Sequence, residues 1–368
     1  MDDLSRIATR SWPVAAWRDV HVVVAVSGGV DSLALAAGLI AAKRTAGGAG
    51  RLWLGHVNHQ LRDAESDRQE QWVAALAGRL QTPLAVERRP VSQRARRDGD
   101  GVEAAARAER YAALAEMAEA RGARYVAVGH TRDDQVETVL MRLQRGAGLR
   151  GLGGMQRCRP LSPSVSLVRP LLAATRQELL AALEAAGLEW FHDSSNDDPL
   201  YARNRVRHEL LPALRSVAGP DLDAAILELA DDAREACSLV ESQAQVVLAE
   251  CRCSQDAVRT REEAARPSPC AAGAAEPRIP RLTRHDDRER RLIRLDRERL
   301  AAESPWMRAE VLRAAWREVA LPEQAMTRRH WQQLAQLAES KSGATLNLPG
   351  NLRAIVAGDV LAINAQGR

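Results

Sequence analysis

One junction restricts what this chain can fold into more than any other. His21 to Val26 (HVVVAV) is a short, β-branched apolar run, Ser27-Gly28-Gly29 breaks it, and Leu33 to Arg44 has the residues of a helix. A run this short and this apolar is that of a parallel strand buried on both faces. The same alternation continues downstream. Strands are expected at Arg51 to His56, at Pro83 to Val91 (less apolar, hence nearer an edge), at Arg124 to Val128 and at Leu167 to Leu171. Helices are expected at Glu65 to Leu80, Val102 to Arg121, Arg132 to Arg145 and Arg176 to Ala186, the last stopped by Gly187. Strands alternating with helices predict a parallel α/β sheet covered on both faces.

The alternation ends near Pro212. Asp221 to Glu250 reads as one long helix, and 251–280 is rich in Ala, Pro, Ser and Arg with little periodicity, as in a loop or linker. Arg281 to Arg299 mixes both charge signs like a solvated helical face, helices resume from Trp306 to about Ala338, and turns in Gly343 to Asn364 suggest a small β-hairpin. Trp306, Trp316 and Trp331 are expected in a core. The organisation expected is therefore 1–215 as a catalytic α/β domain, 216–250 as a helical connector, 251–280 as a linker and 281–368 as a C-terminal region, in a chain of 368 residues.

Composition narrows the class. Hydrophobic residues make up 46% and charged residues 27%, the balance of a globular protein. The net charge of +4 permits a polyanionic partner without requiring one. Lys43 and Lys341 are the only lysines, so nearly all positive charge is arginine. The five cysteines are odd in number and form no Cys-x-x-Cys pair, which argues against a disulfide framework, and no apolar run reaches the length of a membrane span. With an acidic start at Met1-Asp2-Asp3, these features predict a cytoplasmic protein.

Each residue of Ser27-Gly28-Gly29-Val30-Asp31-Ser32 has a reason to sit between a strand and a helix. Glycines let backbone approach an anion, while exposed N–H groups and the helix N-terminus favour phosphate. Ser27 and Ser32 add hydroxyl donors. Asp31 would repel phosphate directly and so points to Mg²⁺, a hard cation that joins carboxylate and phosphate oxygens. The spacing fits neither a Walker loop nor a dinucleotide fingerprint. On the expected helix after the fourth strand, Asp133, Asp134 and Glu137 share a face. Their charge calls for Mg²⁺ or a substrate ammonium, or else marks an exposed acidic first turn. His56 and His59 have the spacing of a metal pair, but no further ligand set accompanies them. Asn58 and these histidines either contact adenine and ribose or order the strand end. Arg203, Arg205 and Arg207 suit RNA backbone or triphosphate, or equally a helix start bridged to Asp197 and Asp198.

The loop resembles that of the N-type ATP pyrophosphatases, the PP-loop superfamily. Later motifs narrow the resemblance. In order they are His56-Val57-Asn58-His59-Gln60-Leu61-Arg62, Glu103-x-x-x-Arg107 with Arg110-Tyr111, and Gly129-His130-Thr131-Arg132-Asp133-Asp134-Gln135-Val136-Glu137-Thr138. Arg145-Gly146-x-Gly148, Gly151-Leu152-x-Gly154-Met155 and Arg169-Pro170-Leu171-Leu172 follow, then Asp193-x-Ser195-Asn196-x-Asp198 and Tyr201-x-Arg203-Asn204-Arg205-Val206-Arg207. This ordered series is similar to the bacterial tRNA(Ile)-lysidine synthetases, in detail over Val22 to Leu214. One departure stands out, since Thr131 occupies the position where that family usually has a second His.

The resemblance implies an adenine nucleotide alpha hydrolase-like PP-loop domain followed by a mainly helical C-terminal region that binds tRNA. It implies ATP and Mg²⁺ as cofactors, with free L-lysine and a CAU-anticodon tRNA(Ile) as partners, and leaves the oligomeric state open, a homodimer included. Asp31, His130, Asp133, Asp134, Glu137 and Arg107 form the implied catalytic set, with Asp31 and Asp134 on the metal. Ser27, Gly28, Gly29, Val30, Asp31 and Ser32, with His56 and Asn58, hold the nucleotide. Arg110, Arg145, Arg203, Arg205 and Arg207 meet substrate or tRNA. A PP-loop tRNA thiolase, or a catalytically silent tRNA-binding homologue, is the alternative; a thiolase ordinarily has cysteine pairs for a cluster or sulfur relay.

Overall fold

β1 (Val22–Ala25) lies between two apolar layers, because successive side chains of a strand point to opposite faces. Val22 and Val24 join one layer with α1 (Asp2–Thr9), α2 (Val30–Ala46), α3 (Asp63–Arg79) and α7 (Arg176–Ala185). Val23 joins the other with α4 (Val102–Glu119). The computed structural model describes residues 1–60, 63–89, 102–191, 202–252, 291–323 and 325–365, with backbone alone at 63, 102–104 and 291–292. The chain divides into two compact units, Met1–Arg234 and Glu235–Arg368.

In the first unit, β2 (Leu52–Asn58), β3 (Leu84–Arg88), β4 (Tyr125–Ala127), β5 (Cys158–Pro160) and β6 (Ser166–Val168) complete a sheet of order β3-β2-β1-β4-β6-β5. All neighbours are parallel except β5, which runs antiparallel to β6 at the edge. The α/β reading is thus correct, and β3 is an edge strand. Three details differ from expectation. Helix α1 packs on α2 so closely that a Cβ at Gly38 would collide with the Leu4 carbonyl. β2 runs on to Asn58, which places His56 inside the strand rather than after it. β5 is too short and too polar to announce itself in sequence.

From β1 the chain winds outward through β2 and β3, then returns to lay β4 on the other side of β1. Between the carboxyl ends of β1 and β4 lies the topological switch point, where open α/β sheets bind ligands. Helix α2 starts on the β1 side and α5 (Arg132–Gln144) on the β4 side. After the short α6 (Leu149–Leu152), a helical segment comprises α8 (Ala202–Arg205), a π turn (Val206–Leu210) and α9 (Leu211–Ala218). Val206 and Leu211 pack against Val136 and Leu140 of α5, which ties this segment to the acidic helix. Helix α10 (Leu222–Cys251) follows as one long element.

In the second unit, β7 (Arg291–Asp296), β8 (Thr345–Leu348), β9 (Leu352–Ala357) and β10 (Val360–Ala365) form an antiparallel sheet of order β7-β10-β9-β8. Helices α11 (Arg297–Ala301), α12 (Pro305–Glu318) and α13 (Arg328–Leu337) accompany it. Three expectations need correction. Arg291 to Asp296 is a strand, not a helical face: Ile293 and Leu295 alternate into the core, a period of two hidden among arginines. The terminal hairpin is thereby part of a four-stranded sheet. Trp316 and Trp331 meet edge to face in the core, centroids 5.4 Å apart, whereas Trp306 is exposed. Of the linker expected at 251–280, Cys251 ends α10 and 253–280 lies outside the described residues.

Candidate active site

The loop after β1 is held by its own serines. Ser27 N donates to Ser32 Oγ over 3.1 Å, and Ser32 Oγ donates to the Gly29 carbonyl over 3.0 Å. Gly28 has φ +89°, and a Cβ there would meet Phe191 Cβ at 3.1 Å and Trp72 Cε3 at 3.2 Å. Gly29 caps α2 with extended backbone. Among the described residues no side chain hydrogen-bonds to this cap, which leaves the first N–H groups of a 17-residue helix open to an anion.

Gly129, just past the end of β4, packs against the start of α2. A Cβ there would stand 2.8 Å from the Asp31 carbonyl oxygen. The two loops therefore enclose a cleft of about 340 Å³, bounded by the Ser27–Ser32 turn, His56, Arg110, Tyr111, His130 and Arg176.

Asp31 pairs with Arg176, Oδ2 to Nη1, over 2.9 Å, while its Oδ1 is buried without a hydrogen-bond partner. Burial pushes the carboxyl up to about 6, with Arg176 opposing and Asp134 adding to the rise. An orphaned, reluctantly ionised carboxylate oxygen beside a phosphate loop suits a cation. Among the described residues no three His, Cys, Asp or Glu side chains cluster as a metal cage. The bare Asp31 oxygen has the chemistry that Mg²⁺ takes, a cation that keeps waters and binds phosphate oxygens.

Helix α5 begins at Thr131, a buried N-cap whose hydroxyl accepts from Asp134 N while Asp134 Oδ2 accepts from Thr131 N over 2.8 Å. The residue that departs from the lysidine-synthetase pattern is thus half of a capping box. Asp134 Oδ1 accepts from Arg203 Nη2 over 2.7 Å. Glu137, 1% exposed, accepts from Arg203 Nε over 2.7 Å and from Arg207 Nε over 2.6 Å. The acidic pair is therefore neutralised by the chain's own guanidiniums, where sequence reasoning looked to Mg²⁺ or an ammonium. Arg203 and Arg207 are four apart and share a face; Arg205, between them, is exposed. Asp197 and Asp198, the other partners considered for these arginines, lie outside the described residues, as do Asp193 to Asn196 and the Glu103 side chain. Asp133 accepts from the Arg176 backbone N over 2.8 Å, so α5 and α7 are joined at their N-termini.

His130 Nδ1 accepts from Arg169 Nε over 3.1 Å. Burial lowers its pKa to about 3, Asp134 opposing and Arg169 reinforcing, so the imidazole is neutral with its proton on Nε2. His56, 2% exposed, directs Nδ1 at the Val26 carbonyl over 2.9 Å. A carbonyl only accepts, so Nδ1 carries the proton and the buried, unpartnered Nε2 is an acceptor at the cleft. Burial likewise pushes His59 down to about 4.

Two predicted site residues stand apart. Asn58 spends its amide on Glu70 Oε2 over 2.8 Å and its oxygen on Gln60 N over 3.0 Å, which orders the strand end. Arg145 is exposed at the C-terminal end of α5, about 18 Å along the helix from Asp133 at 1.5 Å per residue. Sequence reasoning missed Arg176, read only as a helix start, and left Arg169 without a role. Their signal was placement, since each follows β6 on the edge where the loops converge.

Residues 8–214 match the PP-loop domain family. A tRNA(Ile)-lysidine synthase of Geobacter sulfurreducens is 45% identical over 196 residues, 53% of this chain and 40% of that one. The tRNA(Ile)-lysidine synthase of Salinispora tropica is 47% identical over 204 residues, 54% of this chain and 58% of that one. The chain thus spans about half the length of these relatives. Among solved structures, a U34-tRNA thiolase from Methanococcus maripaludis superposes with TM-score 0.50 at 17% identity, over 62% of this chain and 77% of that one, a likeness of fold.

Proposed function

The chain belongs to the PP-loop domain family, and on that premise we propose that it is a tRNA(Ile)-lysidine synthetase. It uses ATP to join the ε-amine of free lysine to C2 of the wobble cytidine in a CAU anticodon. The observation that carries this reading is the pairing, across one switch point, of an open phosphate-binding helix start with the buried Asp134–Glu137–Arg203–Arg207 cluster. The names of the relatives support the same reading.

The Ser27–Ser32 turn and the α2 N-terminus hold the β- and γ-phosphates. Asp31 and, once Arg203 leaves its Oδ1, Asp134 are the residues that would hold Mg²⁺, which when bound would neutralise phosphate charge. The cytidine, splayed from a single-stranded loop, presents O2 to the α-phosphorus, and pyrophosphate leaves. His56 Nε2 accepts from the nucleotide. The lysine amine then attacks C2 and AMP departs. That amine arrives as an ammonium and must lose a proton, which Glu137 or Asp133 takes. Glu137 is held by two guanidiniums, so an ammonium binds there by displacing Arg203 from the carboxylate. Region 281–368 is assigned to tRNA contacts beyond the anticodon.

The test is incorporation of radiolabelled lysine into a tRNA(Ile) transcript with a CAU anticodon, in ATP and Mg²⁺. Elongator tRNA(Met) and Asp31→Ala protein serve as controls. Label that resists mild alkali, on tRNA(Ile) alone and dependent on Asp31, is the expected result. AMP formed on tRNA without lysine incorporation would overturn the choice of nucleophile.

A further inference from the structure

Tyr111 of α4 is surrounded by cations. The guanidinium of Arg159 stands 4.9 Å from its ring centroid, that of Arg107 5.0 Å and that of Arg110 5.5 Å. Arg169, only 4% exposed, comes from the strand side, and it and Arg110 approach the phenol without a hydrogen bond of good geometry, leaving Tyr111 Oη buried and unpartnered. No described carboxylate forms an ion pair with any of these four arginines. By contrast, Arg176 is compensated by Asp31, Arg203 and Arg207 by Glu137, and Arg88 by Glu70.

The crowding leaves an electrostatic trace. Burial, followed by Arg107 and Arg203, holds Arg110 below its ordinary pKa, although Tyr111 opposes. Burial tends to raise the Tyr111 phenol, but the arginines outweigh it and bring it below the usual tyrosine range. The positive field extends outward. Arg157 is exposed just before β5 and depresses Arg234 after burial does, and Arg107 acts likewise on Arg142.

We propose that Arg107, Arg110, Arg159 and Arg169, gathered about Tyr111, form a seat for a backbone phosphodiester of the RNA strand next to the reacting nucleotide. The seat rests on the proposed function for the identity of the RNA. A fork of N–H donors suits phosphate oxygens in the plane of the guanidinium, and an anion supplies both a counter-charge that no described carboxylate provides and an acceptor for Tyr111 Oη. ATP has its own cradle at Ser27–Ser32. The arginine group instead reaches the edge of the sheet through Arg159 on β5, where a polymer leaving the cleft would pass Arg157.

The experiment measures binding of the CAU-anticodon tRNA(Ile) transcript to the full chain between roughly 50 and 200 mM salt, the range over which counterion release is resolved. Wild type, Arg159→Gln and Arg159→Lys are compared, and ATP affinity is measured in parallel by equilibrium dialysis. Arg159→Gln should weaken RNA binding and reduce the log–log salt slope by about one. Arg159→Lys should keep the slope, and ATP affinity should not move. An unchanged slope, a loss of ATP affinity in place of RNA affinity, or a wild type that binds no RNA would overturn the seat. Should Arg159→Gln not fold, Arg159→Met, which keeps the aliphatic stem and removes the charge, carries the same expectation. Lysine incorporation is scored separately. A wild type that binds RNA but incorporates no lysine overturns the ligase reading and leaves the seat standing; incorporation with an unchanged Arg159→Gln slope overturns the seat alone.

Discussion

Arg176 pairs with one oxygen of Asp31 and leaves the other buried and bare. A carboxyl raised from 3.8 to about 6 contributes stability below pH 3.8 that is lost as pH rises through 6, because the unfolded chain ionises first. Asp31→Asn removes that loss. At pH 8 the variant should be more stable than wild type by up to about 3 kcal/mol, from two pH units at 1.36 kcal/mol each, with the difference vanishing near pH 4. Urea denaturation at both pH values measures it. Equal stability at pH 8 would show that Asp31 is not desolvated. The same variant should lose pyrophosphate release, since its amide no longer supplies a carboxylate for a cation.

Glu137 is the more deeply committed carboxylate, and its removal should act in the opposite direction. Glu137→Ala leaves Arg203 and Arg207 to share Asp134 as their remaining described anion, and removing one member of a buried ion pair costs about 3–5 kcal/mol. Glu137→Gln keeps the volume and one acceptor and should cost less. If Glu137 also receives the lysine ammonium, Glu137→Gln should raise the KM for lysine while leaving ATP affinity in place. Steady-state kinetics in lysine, read beside a denaturation curve, separates the two roles.

His130 should not titrate in the neutral range. Its pKa near 3 lies below the 6.5 of an unfolded histidine, so the unfolded chain protonates first. The corresponding stability is present above pH 6.5 and declines as pH falls toward 3. The nitrogen-15 shifts of His130 should therefore report a fixed Nε2–H tautomer from pH 8 to 5. Arg169→Gln, which withdraws the guanidinium from Nδ1, should allow both tautomers. A His130 titration with a midpoint near 6.5 in the wild type would contradict the assignment.

Much of this arrangement was legible in the residues. The apolar run before Ser27 and the glycines after it predict a strand, a turn and a helix start, because backbone sterics and burial act locally there. The acidic face of Asp133, Asp134 and Glu137 follows from helical spacing alone. What faces those carboxylates does not. Arg203 lies 66 residues from Glu137 in sequence, and nothing local distinguishes it from the exposed Arg205. Arg176 and Arg169 were hidden for the same reason, since their partners come from other loops. The strand at Arg291 to Asp296 was masked by composition: its buried Ile293 and Leu295 flank Arg294 in an arginine-rich stretch, and charge density outweighed a period of two.

Gly129 and Gly78 make opposite predictions from the same substitution. A Cβ on Gly129 would lie 2.8 Å from the Asp31 carbonyl oxygen, 2.9 Å from its carbon and 3.0 Å from Ser32 N. All three are backbone atoms in the first turn of α2, so relief requires moving the phosphate loop itself. Gly129→Ala should destabilise the chain by about 1–3 kcal/mol, as overpacking does, and weaken ATP binding. Gly78 is exposed within α3, and a Cβ there meets nothing within 4 Å. Gly78→Ala should stabilise by up to about 1 kcal/mol through helix propensity, with ATP affinity unchanged. Denaturation midpoints and calorimetric ATP titrations on both variants decide the matter. If Gly129→Ala bound ATP as tightly as wild type, the contact between the β4 end and the α2 start would not be what shapes the nucleotide loop.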